Sequence, residues 1–194
     1  MDPITRTRAG IRNWGSTTQE RALEFPCDRF MNGQHDALYR ALSVDAPPAS
    51  LFRWLCQLRA APYSYDWIDN RGRRSPRQLT PGLDRLQVGQ RMMTIFRLAE
   101  FERDHHITVV MDQPTPWLGE LAVTYLIVPG DEKRCRLVVK LAIAYPPTPL
   151  GVAMRELLSV GDLVMMRKQL LTLRTLAERD AAHTAQLAGA LTCR

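Results

Sequence analysis

Residues 61 to 82, APYSYDWIDNRGRRSPRQLTPG, hold the densest chemistry in the chain: Tyr63, Tyr65, Asp66, Trp67, Asp69 and Asn70, followed at once by Arg71, Arg73, Arg74 and Arg77. Tyr and Trp combine a large apolar body with a polar tip, which suits the wall or mouth of a pocket where one end stays dry. The same residues also read as plain structure, with Trp67 plugging a core and the aspartates pairing with arginines or capping a short helix. The two readings can coexist.

Other chemistry-bearing residues are spread along the chain. Arg97, in TIFRLAEF, could grip a ligand carboxylate or phosphate bidentately if its strand turns it inward, and is a surface residue if outward. Tyr125 and Tyr145 would be the polar points of an apolar lining if Val123, Tyr125, Leu137, Val139, Leu141, Ile143 and Tyr145 share one face, as their alternation suggests. Met92, Met93, Met165 and Met166 could line an adaptable pocket or fill a core. Of these, Met166 is assigned to the lining.

Several classes of chemistry find no support. There is no GxSxG elbow, and Cys56 lies beside Phe52 in an amphipathic stretch, where a thiol reads as inert packing. No glycine-rich phosphate loop is present. Cys27, Cys56, Cys135 and Cys193 are far apart with no CxxC pair, which excludes a zinc ribbon or thioredoxin-like motif and predicts reduced thiols. His105 and His106 are neighbours at a strand start, so their side chains should point to opposite faces and not share an ion. Neither a metal nor a cofactor is expected, and no catalytic residue is assigned.

The elements that must position these residues follow from pattern. Residues 1 to 33 show no clear period and read as a partly ordered extension that wraps the domain, with FPCDRF docking by its phenylalanines. DALYRALSVDA alternates as a first strand, placing Leu38, Arg40, Leu42 and Val44 on one side. PPASLFRWLCQLR starts with proline and repeats apolar residues at helical spacing until Ala-Ala-Pro stops it. QRMMTIFRLAEFE, HHITVVMDQ, ELAVTYLIV and CRLVVKLAIAYPP are strands rich in β-branched and aromatic residues, the last two joined by the hairpin signal PGDEKR, in which Gly130 can take a positive φ. Short links imply an antiparallel sheet. After PPTPLG, DLVMMRKQLLTLRTLAERDAA repeats Leu163, Met166, Leu170, Leu173 and Ala177 as a long helix capped by Asp162, and residues 183 to 194 read as a loose tail.

At 194 residues the chain fits one domain with a sizeable core. All but three of the 26 basic side chains are arginine, the net charge is +6, and most of these charges are scattered among acids as a solvated surface. RGRRSPR is the one dense run, and it lacks a recognition helix or aromatic platform, so nucleic acid is not an expected partner. The polar, Arg-bearing opening has no apolar h-region, and no stretch approaches the roughly 18 apolar residues of a membrane helix, so a cytoplasmic protein is expected.

With that order of elements in hand, the chain resembles the START-related superfamily, abbreviated SRPBCC, which includes the birch-pollen allergen, lipid-transfer START domains and polyketide cyclases/dehydrases. The resemblance runs from residue 34 to 182 and is most specific to a bacterial branch, in QLRAAPYSYDWIDNRGRRSPRQLTPGL, VGQRMMTIFRL and GDLVMMRKQLLTLRTLAER. It implies an α+β helix-grip fold, in which a curved antiparallel sheet wraps a long C-terminal helix, with two short helices after the first strand. It also implies a cavity between sheet and helix that binds a small hydrophobic or amphipathic molecule. The expected lining is Tyr63, Tyr65, Asp66, Trp67, Arg97, Tyr125, Tyr145 and Met166. Two other functions stay open: a cyclase, aromatase or dehydratase using Asp66, Tyr125 and Arg97, and a protein-interaction module docking through the N-terminal extension or the arginine run.

Overall fold

The structure is a computed structural model, and it describes residues 10–70, 72–113, 119–146 and 149–192. Arg71 and Cys193 lie outside the described residues. In chain order the elements are β1 (Asn13–Trp14), α1 (Thr18–Arg21), a 3-10 turn (Pro26–Phe30), β2 (Asp36–Val44), α2 (Pro48–Cys56) extended by a 3-10 turn (Gln57–Arg59), α3 (Asp66–Asp69), β3 (Arg91–Met92), β4 (Phe96–Glu102), β5 (His106–Met111), β6 (Glu120–Pro129), β7 (Cys135–Ala144) and α4 (Pro149–Thr192).

Among the described residues the seven strands form one sheet in the order β1-β2-β7-β6-β5-β4-β3, antiparallel except for the short parallel β1–β2 pair. The alternation read from sequence sets its two faces. Val123, Tyr125, Ile127, Leu137, Val139, Leu141 and Ile143 join one buried cluster with Leu51, Trp54 and Leu55 of α2 and Leu170, Leu173 and Ala177 of α4. Each fully buried Leu there contributes about 1.5–3 kcal/mol relative to exposure. The long helix is thus held against one face of the sheet, the helix-grip arrangement. Among the described residues no helix, the 44-residue α4 included, is long and apolar enough to cross a membrane.

The opposite face is covered by the N-terminal segment. Phe25 and Cys27 pack on Ala122, Leu126, Val138 and Ala142. The Cys27 amide donates to Thr124 Oγ1 at 2.9 Å, and Lys140 Nζ donates to Asp28 Oδ2 at 2.6 Å below the Phe25 and Tyr39 rings. Gly15 makes the approach possible: at φ +72° a Cβ there would meet the Ala41 carbonyl oxygen at 2.0 Å. Arg136 then clamps Glu20 with two bonds of 2.7 and 2.9 Å.

Burial by itself would raise the Glu20 carboxyl, but the Arg136 pair and the Thr17 amide and hydroxyl outweigh it and hold it below its ordinary 4.5. A depressed carboxyl stabilises the fold above its unfolded pKa, and that contribution is lost as pH falls through the lower folded value. Glu20→Gln is therefore expected to flatten the acid limb of the stability curve below about pH 4.5 and to remove about 1 kcal/mol at neutral pH, read by thermal unfolding across pH.

Four local expectations are corrected. The stretch 90–102 is two strands, because Met93 turns the chain at φ +52°. Gly130 does not use a positive φ; it is needed for space, since a Cβ would stand 3.0 Å from the Arg134 carbonyl oxygen. The helix starts at Pro149 rather than at Asp162, the proline being tolerated in a first turn, and it continues to Thr192 through the stretch read as a tail. Asp162 is accordingly not a cap. It faces Arg40, a fully buried side chain of β2, with Oδ2 accepting from Arg40 Nη2 at 2.8 Å.

Candidate functional site

Between α4 and the free end of the sheet lies a cleft of about 360 Å³. Its walls come from three places: Pro62, Ser64 and Ile68 after α2, the β3–β4 turn Met93 to Phe96, and Met165, Met166 and Gln169 of α4. The lining is mainly apolar, and none of these side chains ionises near neutral pH. Ile68 and Ile95 are half exposed at 54% and 49%, and the neighbouring Trp67 is 76% exposed, so an apolar mouth faces solvent. Three of the four methionines singled out in the sequence, Met93, Met165 and Met166, are in the lining, whereas Met92 is fully buried in the core.

The walls are held by a polar junction that the sequence reading missed. Gln169 is buried, accepts the Tyr125 hydroxyl at 2.8 Å on Oε1, and donates from Nε2 to the Pro62 carbonyl at 2.6 Å. The same Nε2 lies 3.7 Å from Met93 Sδ. One side chain thus joins α4, β6, the segment after α2 and the β3–β4 turn. The signal was a polar residue among Met166, Leu170 and Leu173 on a helix face that is otherwise apolar.

Two residues at this junction, Tyr63 and Met93, hold left-handed backbone at φ +57° and +52°. Such conformations cost about 1–3 kcal/mol each outside glycine and gather where the surroundings over-determine the chain. Tyr63 is buried edge-on to Trp54, with ring centroids 6.0 Å apart, and burial pushes its hydroxyl up to about 12. That hydroxyl has no hydrogen-bond partner among the described residues.

The remaining predicted lining residues are placed as follows. Tyr65 is the half-buried residue before α3. The Asp66 carboxylate accepts the Ser75 amide at 2.9 Å and the Ser75 hydroxyl at 2.5 Å, which closes the loop it starts. Arg97 is half exposed and ion-paired with Asp112 on the outside of the hairpin edge, not in the cleft. Tyr125 is in the core beneath the cleft, its hydroxyl raised by burial. Tyr145 follows β7 and is half-buried, two helical turns from Met166 beside Ser159. Of the expected lining residues, Met166 is in the cleft wall, beside Pro62, Ser64 and Ile68, which were not expected there; Tyr63, Tyr65, Asp66, Trp67 and Tyr125 lie around or beneath it, and Arg97 and Tyr145 stand apart. The buried Cys27, Cys56 and Cys135 have thiols pushed up to about 11, 12 and 12 by burial, as inert packing requires.

His105 and His106 overturn a sequence argument. His105 sits in the turn that precedes β5, so strand alternation does not separate the pair, and their Nδ1 atoms stand 3.0 Å apart. Glu102 lies beside both.

No protein-family model matches the chain, and no curated protein does. Solved structures do. A solution NMR structure of a protein from Thermobifida fusca is 19% identical with a TM-score of 0.52, over 74% of this chain and 93% of that one. The Zhui aromatase/cyclase from Streptomyces sp. R1128 is 12% identical with a TM-score of 0.47, over 80% and 99%. A START superfamily protein from Mycobacterium smegmatis is 13% identical with a TM-score of 0.39, over 71% and 99%. At 19% identity the likeness to the Thermobifida fusca protein is one of fold alone.

Proposed function

We propose that the chain binds a small hydrophobic or amphipathic molecule in the cleft between α4, the segment after α2 and the β3–β4 turn. The observation that carries this reading is an apolar cleft whose lining exposes Ile68 and Ile95 to solvent, with Gln169 and Ser64 as polar points in its wall. Its volume falls within the roughly 300–1,000 Å³ of small-molecule sites. Thioethers of Met93, Met165 and Met166 can repack around ligands of different shape. Binding is favoured over cyclase-type catalysis because proton transfer needs an ionisable group at the cleft. Asp66 and Arg97 are engaged by Ser75 and Asp112, and the Tyr125 hydroxyl by Gln169. The reading includes a cytoplasmic setting, in keeping with three unpaired buried thiols.

The test is titration of the full chain with the fluorescent probe 1-anilinonaphthalene-8-sulfonate, alongside native mass spectrometry of the protein as purified. Ile68→Asp and Ile95→Asp are each expected to weaken probe binding about tenfold, since each removes an apolar wall worth about 1.5 kcal/mol and sets a charge at the mouth. Both residues are half exposed, so the thermal midpoint should hold. Unchanged binding in both variants, with no adduct in the native mass, would count against the reading.

A further inference from the structure

We infer that the β4–β5 hairpin is a binding site for a divalent transition ion, with zinc preferred, held by Glu102, His105 and His106. This site lies on the face of the sheet opposite α4 and is independent of the cleft reading. The hairpin assembles it: Glu102 and His106 are register partners across β4 and β5, and Asp104, at φ +60°, turns the chain so that His105 folds back towards them. His105 Nδ1 lies 3.0 Å from His106 Nδ1 and 3.2 Å from Glu102 Oε2, and His106 Nδ1 lies 3.9 Å from that same oxygen. An ion bound tetrahedrally at about 2.0–2.1 Å puts its ligand atoms about 3.3–3.4 Å apart. The three separations bracket that value, so the atoms outline one face of a tetrahedron and closure needs only small side-chain rotations.

Two further features fit a metal. His106 Nε2 is 3.2 Å from Glu100 Oε1, and Glu100 is itself fixed by Arg29 Nη2 at 2.5 Å. A carboxylate on the outer nitrogen of a metal-binding histidine fixes its tautomer and ring orientation and turns the other nitrogen's lone pair towards the ion. His106 is buried, which holds the ring in place, whereas His105 and Glu102 are exposed and free to adjust. The three ligands also line a cleft of about 510 Å³, together with Phe25, Asp28, Arg29 and Leu126. Three protein ligands and a fourth position on a cleft describe an open zinc site, able to hold water or an added ligand, rather than a closed structural one. Two imidazoles and one carboxylate suit zinc over magnesium or calcium, which prefer all-oxygen shells.

The experiment uses the full, tag-free chain stripped with a chelator and titrated calorimetrically with zinc chloride, with the visible absorption of four-coordinate Co²⁺ as a second readout. One equivalent of zinc is expected to bind and Mg²⁺ in excess to leave it bound. His105→Ala and Glu102→Gln should each weaken zinc binding at least about tenfold, and Glu100→Gln by about 10–100-fold. The first two side chains are exposed, so the metal-free thermal midpoint should be unchanged by their loss, which separates a ligand role from a folding role. The proposal is overturned if no zinc binds. It is equally overturned if His105→Ala and Glu102→Gln bind zinc as the parent does, or if binding is lost only on substituting His35, which pairs with Asp28 and is not one of the three ligands.

Discussion

Asp162→Ala should destabilise the protein by about 3–5 kcal/mol, lowering the thermal midpoint by on the order of 10 °C. Arg40 projects from β2 into the interior with no exposed surface. Its Nη1 donates to the carbonyls of Ile11, Arg12 and Tyr39, and its Nη2 to Asp162. The pair therefore joins the N-terminal segment, the sheet and the long helix at one point. Burial raises the Asp162 carboxyl and Arg40 lowers it, and burial wins: the carboxyl stands at about 6, above its ordinary 3.8. A raised carboxyl means that ion pairing only partly offsets desolvation, and the pair adds little net stability over an apolar replacement. The loss in Asp162→Ala comes instead from leaving the Arg40 guanidinium buried beside carbonyl dipoles with no counter-charge. Arg40→Met combined with Asp162→Leu should therefore recover most of the stability lost by the single variant. Denaturant unfolding of the two variants checks it. A single variant within about 1 kcal/mol of the parent, or a double variant worse than the single, would contradict it.

The sheet was legible because burial on both faces writes itself as alternation. Val123 and Tyr125 facing the helix, and Ala122 and Leu126 facing the N-terminal segment, follow from period two with no knowledge of the partner element. Distance in sequence hid what was missed. Asp162 in front of an apolar repeat looks like a helix cap, and only the fold shows that its partner is Arg40, 122 residues away. Met93 and Tyr63 adopt left-handed backbone with side chains that carry no local preference for it, so neither the split of β3 from β4 nor the turn into the 61–70 segment had a sequence signal. The density of aromatics in that segment pointed at the right neighbourhood. It did not separate the residues whose side chains go inward, such as Tyr63, from Trp67, which goes out. Alternation also misled at His105, because a period learned within a strand was carried one residue into a turn.

Gln169→Leu should destabilise by about 2–4 kcal/mol and, on the proposed reading of the cleft, weaken probe binding there. Leucine matches the volume roughly, so the effect is one of unpaired polar groups: the buried Tyr125 hydroxyl loses its acceptor and the Pro62 carbonyl its donor. Each orphaned group costs about 1–3 kcal/mol. The two losses fall on different elements, which lets them be separated. Tyr125→Phe removes the hydroxyl and leaves the Gln169 amide on Pro62, so it should cost about 1 kcal/mol and keep probe binding near the parent. In Gln169→Leu the Pro62 carbonyl is released directly before Tyr63, whose φ of +57° then lacks one of the restraints that hold it. Relaxation there moves Ser64 and Ile68, two residues of the cleft wall. Adding Tyr125→Phe to Gln169→Leu should therefore recover about 1–2 kcal/mol of stability and none of the probe binding, because only the hydroxyl, not the carbonyl, has been relieved. If stability and probe binding recover together, both losses run through the orphaned Tyr125 hydroxyl and the cleft is not shaped by the Pro62 bond.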